Sequence, residues 1–179
     1  VRQERRAPRS ASTVLAMSPI AAERCVGGND LTEPRLAQGG RLLAFASSTA
    51  GVASLVLHRF DGSADEVLAS APPLRPGRGL GGGSWAFTRD GGAVVYIGVD
   101  GNVWLQTIDG RPAERLTDHG PDRVATSPCV AADGDAIVYV LDLEEVHRVD
   151  VASGHTTRLD DGTADFCMDA FVDADGVSV

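Results

Sequence analysis

Four glycines, Gly40, Gly91, Gly134 and Gly176, each stand four residues after an apolar residue: Leu36, Phe87, Val130 and Val172. Each opens a strand-like run, and the intervals between them are 51, 43 and 42 residues. A fixed period near 42 constrains this chain more than any single motif. One copy cannot bury its own apolar faces, so every copy has to stack on a neighbour. Several strand-like runs per period are what a propeller blade requires. The longer first interval is accounted for by an inserted loop, Pro72–Ser84, of sequence PPLRPGRGLGGGS.

Each copy reads as a meander. Ala93-Val94-Val95-Tyr96-Ile97 is a continuous apolar, β-branched run, the pattern of a strand covered on both faces. Asp100-Gly101 and Asp109-Gly110 supply residues that tolerate positive φ in tight turns. Between them Val103–Ile108 is rich in strand formers. In the next copy Tyr139 aligns with Tyr96, and Arg158-Leu159 with Arg115-Leu116. His147 aligns with Trp104 and Val56, which makes it a strand residue. The fold class expected is all-β: a partial β-propeller of three to four blades, each a four-stranded antiparallel sheet. The repeats lie at about 34–70, 83–118 and 127–161, with a further start at 169. Apolar residues throughout read as blade core.

Composition removes other classes. Helical periodicity is confined to the stretch from Ser18 to Val26. The formal net charge of −9 repels phosphate backbones, so no nucleic-acid partner is expected. The basic N-terminus, VRQERRAPR, reads as a solvated tail; residues 1–17 are assigned to it and 18–179 to the propeller. Met17 is an alternative start that would leave the residues before it as upstream read-through. All sixteen basic residues are arginine, which excludes a P-loop lysine, a Schiff base and a Ser-Lys dyad within these residues. Cys25, Cys129 and Cys167 are few, odd in number and widely spaced, as reduced thiols are. No apolar run reaches the length of a membrane span, and residues 5–22 are too polar and interrupted for a signal peptide. No membrane partner and a cytoplasmic location are expected.

The candidate chemical motifs fail on context. Gly77, Gly79 and Gly82 satisfy G-x-G-x-x-G, but prolines precede them and a strand follows, where pyrophosphate binding needs a strand and then a helix. This stretch reads as a surface loop. Ser84, in Gly-Gly-Ser-Trp-Ala, is a near miss for a nucleophile elbow and lacks the elbow's helix. His58, His119, His147 and His155 never take metal-protease spacing. Glu144-Glu145 falls where the preceding copy has Asp100-Gly101 and reads as a hairpin tip. Asp173 and Asp175 lack the pattern of a calcium loop. No catalytic, cofactor-binding or metal residues are assigned, and no cofactor is expected.

The copies resemble the degenerate repeats of the Tol-system propellers and of the prolyl oligopeptidase family of serine peptidases. The resemblance rests on Asp90-Gly91, Tyr96, Asp109-Gly110 and Arg115-Leu116-Thr117. A closer similarity, to bacterial acylaminoacyl- or dipeptidyl-peptidase-like members, is carried by LTEPRLAQGGRLLAFAS, RPGRGLGGGSWAFTRDG and ADFCMDAFVDADG and covers residues 18–179. The chain departs from the Ser-Pro-Asp-Gly pattern, with Arg89, Ala132 and Ala174 at the Pro and Gly39 at the first Asp. The resemblance implies a propeller that caps a C-terminal α/β-hydrolase domain and filters peptide substrates. The family's catalytic Ser, Asp and His have no counterparts in these residues. Three blades and a stub do not close a ring of four to eight. A larger protein or a partner is expected to cover the open sheet face. An independent scaffold propeller that binds a protein or small ligand is the alternative.

Overall fold

The computed structural model describes residues 28–37, 39–77 and 83–172. The N-terminal tail, the Ser18–Val26 stretch, Cys25, Asp173, Asp175 and Gly176 lie outside them. The described residues form twelve strands and no helix. The first sheet contains β1 (Asp30–Leu36), β2 (Leu42–Thr49), β3 (Val52–Arg59) and β4 (Glu66–Leu68). The second contains β5 (Trp85–Phe87), β6 (Ala93–Ile97), β7 (Val103–Thr107) and β8 (Glu114–Arg115). The third contains β9 (Ala125–Val130), β10 (Ala136–Leu141), β11 (Glu145–Asp150) and β12 (Thr156–Arg158). Each sheet is an antiparallel meander with its strands in chain order.

The glycine anchors build one turn three times. Gly40, Gly91 and Gly134 donate their N–H to the carbonyls of Ala37, Thr88 and Ala131, at 3.0, 2.9 and 2.9 Å. Those three residues donate in turn to Leu42, Ala93 and Ala136. All three glycines have positive φ, between 66° and 80°, which a β-carbon makes costly. The repeat period is therefore written in backbone conformation.

Cross-strand register explains the aligned side chains. Tyr96 pairs with Trp104 and Trp104 with Arg115. Tyr139 pairs with His147 and His147 with Arg158. In the first sheet the same ladder is Phe45, Val56 and Val67. Residues opposite one another share a face, so each blade shows one such ladder on one side. In the second blade it faces the first, where Tyr96, Val94 and Trp85 pack with Ala44, Leu55 and Leu57. In the third it faces the second, where Tyr139, Ile137 and Leu141 pack with Val95, Ile97 and Val103. In the first blade the ladder has no neighbour among the described residues, and Val67 is 60% exposed.

Two local expectations change. The hairpin turn of the third blade is residues 142–144, with φ of 56° and 66° at Asp142 and Leu143, so Glu144 lies in the turn as expected while Glu145 is the first residue of β11. Two successive positive φ values match the twist of a tight hairpin. Among its described residues, 72–77 and 83–84, the inserted stretch is not all surface loop, and Gly79 and Gly82 lie outside them. Leu74 is fully buried, donates to the Ala53 and Ala69 carbonyls, and bridges strand edges of the first two blades. Arg75 N–H donates to Ile97 O and Val99 N–H to Pro73 O, so this segment is wedged between the blades.

Candidate functional site

The strands β1, β5 and β9 each lie at the edge of their sheet. Their neighbouring edges approach one another, with Ser127 N–H donating to Gly83 O at 3.0 Å. Together with residues 169–172 they line a concave cavity of about 860 Å³. Leu36, Phe87, Val130 and Val172, the apolar residues marked by the repeat, all line it. The first three are the last residues of β1, β5 and β9. They are therefore cavity wall rather than fully enclosed core, and Leu36 is 61% exposed.

Two arginines give this wall its charge. Arg35 lies over the Trp85 ring at 5.5 Å, a contact that orients a guanidinium while leaving its N–H groups available. Arg89 donates from Nη1 to the Ala132 carbonyl at 2.8 Å and so spans the second and third blades. The one carboxylate in the lining is Asp169. Apolar strand ends flanked by guanidinium groups suit an extended chain that carries carbonyls or a carboxylate. Neither arginine stood out in the sequence as a binding residue: Arg35 lies five residues before Gly40 and Arg89 two before Gly91, so no shared repeat offset marks them.

Ser84 is buried, and its hydroxyl and N–H both bond to Glu33 at 2.9 and 2.7 Å. With no histidine in reach, that environment is structural. Glu33 occupies an irregularity of β1 with φ 51°, so the bulge aims its carboxylate at the second blade. The same carboxylate lies against Gly77 and Gly83, where a β-carbon would meet it at 2.6 and 2.9 Å.

His119, His147 and Glu145 fall into a second polar cluster between the second and third blades. Glu145 accepts from Arg123 Nη2 at 2.8 Å and Arg158 Nη1 at 3.2 Å, and pairs with His147 Nε2 at 2.8 Å. His147, then Arg123, hold the Glu145 carboxyl below its ordinary range. Asp142 accepts from Arg123 Nε at 2.6 Å and from Val124 N–H at 2.8 Å. Tyr139, His119 and His147 stand ring against ring, 5.4 to 6.2 Å apart. Burial first, then the charge of His147 and Arg123, hold the His119 imidazole below its ordinary value. His58 pairs with Asp65 at the sheet edge, and His155 lies in an exposed turn. Cys129 lines the cavity and Cys167 reaches the Glu144 carbonyl; both are free thiols. Among the described residues no three acidic, histidine or cysteine side chains are grouped to hold a metal.

No family model matches the chain, and no curated protein matches it. Solved structures do. TolB from Acinetobacter baumannii is similar with a TM-score of 0.61 and 21% identity, over 83% of this chain and 36% of that one. A putative TolB from Agrobacterium tumefaciens has a TM-score of 0.58 and 18% identity, over 83% and 52%. Oligopeptidase B from Leishmania major has 0.52 and 19%, over 79% and 22%. The sheets are β-propeller blades. The chain spans between about a fifth and a half of the length of these propeller proteins. Identities this low establish the fold, and the chemistry has to be argued from the site.

Proposed function

We propose that these blades are the non-catalytic wall of a serine peptidase, gating peptide access to a C-terminal α/β-hydrolase domain. One observation carries the reading: the residues repeated in every copy line a single concave surface, and Arg35 and Arg89 border it. Edge strands with apolar ends and guanidinium groups accept an extended peptide by backbone pairing and by its carboxylates. Without a nucleophile of its own, such a surface acts by selection: it admits chains that fit and holds others away from the hydrolytic site. The partners under this reading are the hydrolase domain and the peptide substrate.

The test is labelling of the full-length protein with a fluorophosphonate probe, followed by peptide hydrolysis. Labelling is expected at a serine outside residues 1–179, and Ser84→Ala is expected to leave it unchanged. Arg35→Glu and Arg89→Glu are expected to alter the preference among peptides of different length and charge while the probe still reacts. Absence of labelling overturns the peptidase reading.

A scaffold propeller that binds a protein or small ligand is the second reading. The same concave surface between β1, β5 and β9 supports it, since apolar strand ends bordered by arginines hold a bound partner without any reaction. Under it the same arginine substitutions weaken capture of a partner, and no serine reacts with the probe.

A further inference from the structure

Three polar atoms in the cluster between the second and third blades are buried with no protein partner: His119 Nε2, Tyr139 Oη and His147 Nδ1. They come from three segments, the linker after β8, strand β10 and strand β11. Their rings stand close together, with centroids at 5.4 Å (His119–Tyr139), 5.7 Å (Tyr139–His147) and 6.2 Å (His119–His147). Tyr139 is fully buried. A buried hydroxyl or ring nitrogen left without a partner keeps its full desolvation cost, so three in one place call for a shared guest.

The equivalent position one blade earlier shows what is needed. Tyr96, which aligns with Tyr139, donates from Oη to the Pro72 carbonyl at 3.3 Å. Trp104, which aligns with His147, donates from Nε1 to Asp100 at 3.1 Å. In the third blade Glu145 takes the role of Asp100 and binds His147 Nε2. A carboxylate only accepts, so Nε2 carries a proton and Nδ1 is left free to bond a guest. In the third blade the Thr156 side chain lies near the Tyr139 hydroxyl but forms no hydrogen bond with it, and histidine adds a second nitrogen that tryptophan does not have.

We propose that this pocket binds one internal water molecule, held by His119 Nε2, Tyr139 Oη and His147 Nδ1. Three polar partners are the usual complement of a buried water. Spacing separates water from a metal ion. Two nitrogens about 2.9 Å from one water oxygen place imidazole centres roughly 6 Å apart. A zinc ion with nitrogens at about 2.0–2.1 Å draws the centres to roughly 5 Å. The observed 6.2 Å fits water. Burial raises the Tyr139 phenol above its ordinary value, so it stays protonated at neutral pH and is able to donate. The water ties the linker that leaves the second blade to the ladder of the third, doing for this junction what Pro72 does for the one before.

The test is a crystal structure of the full-length protein at neutral pH, at a resolution that orders single waters. An isolated peak within hydrogen-bond distance of all three atoms, without anomalous signal at transition-metal edges, is the expected result. Featureless density, side chains turned to bond one another directly, or an anomalous peak overturns the proposal. Oxygen-17 relaxation dispersion provides a second readout in solution. His119→Phe keeps a ring there but removes its nitrogens, and the count of long-lived waters is expected to fall by one. An unchanged count in a folded His119→Phe protein also overturns it.

Discussion

Glu33 and Ser84, 51 residues apart in the chain, are joined by two hydrogen bonds, from Ser84 N–H to Oε2 at 2.7 Å and from its hydroxyl to Oε1 at 2.9 Å. The pair ties the bulge of β1 to the start of β5, and it fixes where the 72–84 insertion rejoins the second blade. Hydrogen bonds to a charged acceptor are the stronger kind, and Ser84 is buried. Glu33→Ala leaves both donors without their acceptor. Urea unfolding is expected to show a loss of about 1–3 kcal/mol, with Glu33→Gln losing less because one oxygen remains. A loss within error for both variants contradicts the tie.

Gly101 and Gly110 share nearly the same φ, 80° and 81°, and differ in what surrounds them. A β-carbon on Gly110 meets open space, whereas on Gly101 it collides with the backbone carbonyl of Arg123. Gly110→Ala is therefore expected to cost only the left-handed backbone penalty, about 1–2 kcal/mol. Gly101→Ala is expected to cost clearly more, because a carbonyl in the linker between blades has to move. Parallel thermal melts of the two variants check the ordering.

Leu55 is fully buried between the first two blades. Leu55→Ala is expected to lower stability by about 2–5 kcal/mol, the range for cavities in packed cores. Val67→Ala, on the exposed ladder of the first blade, is expected to change it little in the same assay. Comparable losses at both positions would mean that the exposed face is covered in solution.

Acid is expected to destabilise the junction of the second and third blades in two steps. His119 is held below its ordinary value of 6.5 by burial, then by His147 and Arg123. The unfolded chain therefore takes up this proton first. Its contribution is fully present above about 6.5 and is lost as pH falls through the folded value. Glu145 and Asp160 are held below their ordinary values of 4.5 and 3.8, chiefly by His147 and by Arg158. Their contributions are present above those values and fade as pH falls further. Melting temperature plotted against pH should show both steps, and His119→Phe should remove the upper one alone. A flat profile between pH 7 and 5 contradicts the buried neutral imidazole.

Much of the fold was legible because the repeat is enforced by local chemistry. Gly40, Gly91 and Gly134 take left-handed turns that a β-carbon disfavours, and each follows a strand that ends in an apolar residue. Those constraints act within a few residues, so they survive as a pattern in the sequence. The aligned ladder of Tyr96, Trp104 and Arg115 with Tyr139, His147 and Arg158 was legible for the same reason.

The site was not legible, because it depends on which edges meet. Leu36, Phe87 and Val130 read as core since apolar strand ends look alike whether they face a neighbour or a cavity. Glu145 read as a hairpin tip. As the first residue of β11 it shares a face with His147, and the pairing of β11 with β12 and the approach of the linker before β9 bring Arg158 and Arg123 to it. By itself the sequence determined a stack of four-stranded meanders about 42 residues apart, since turn geometry and strand patterning are local. The tertiary structure decided that Glu33 reaches Ser84, that Leu74 wedges two blades together, and that His119, Tyr139 and His147 stand ring against ring. Those contacts join segments distant in the chain, and their geometry comes from how the blades stack.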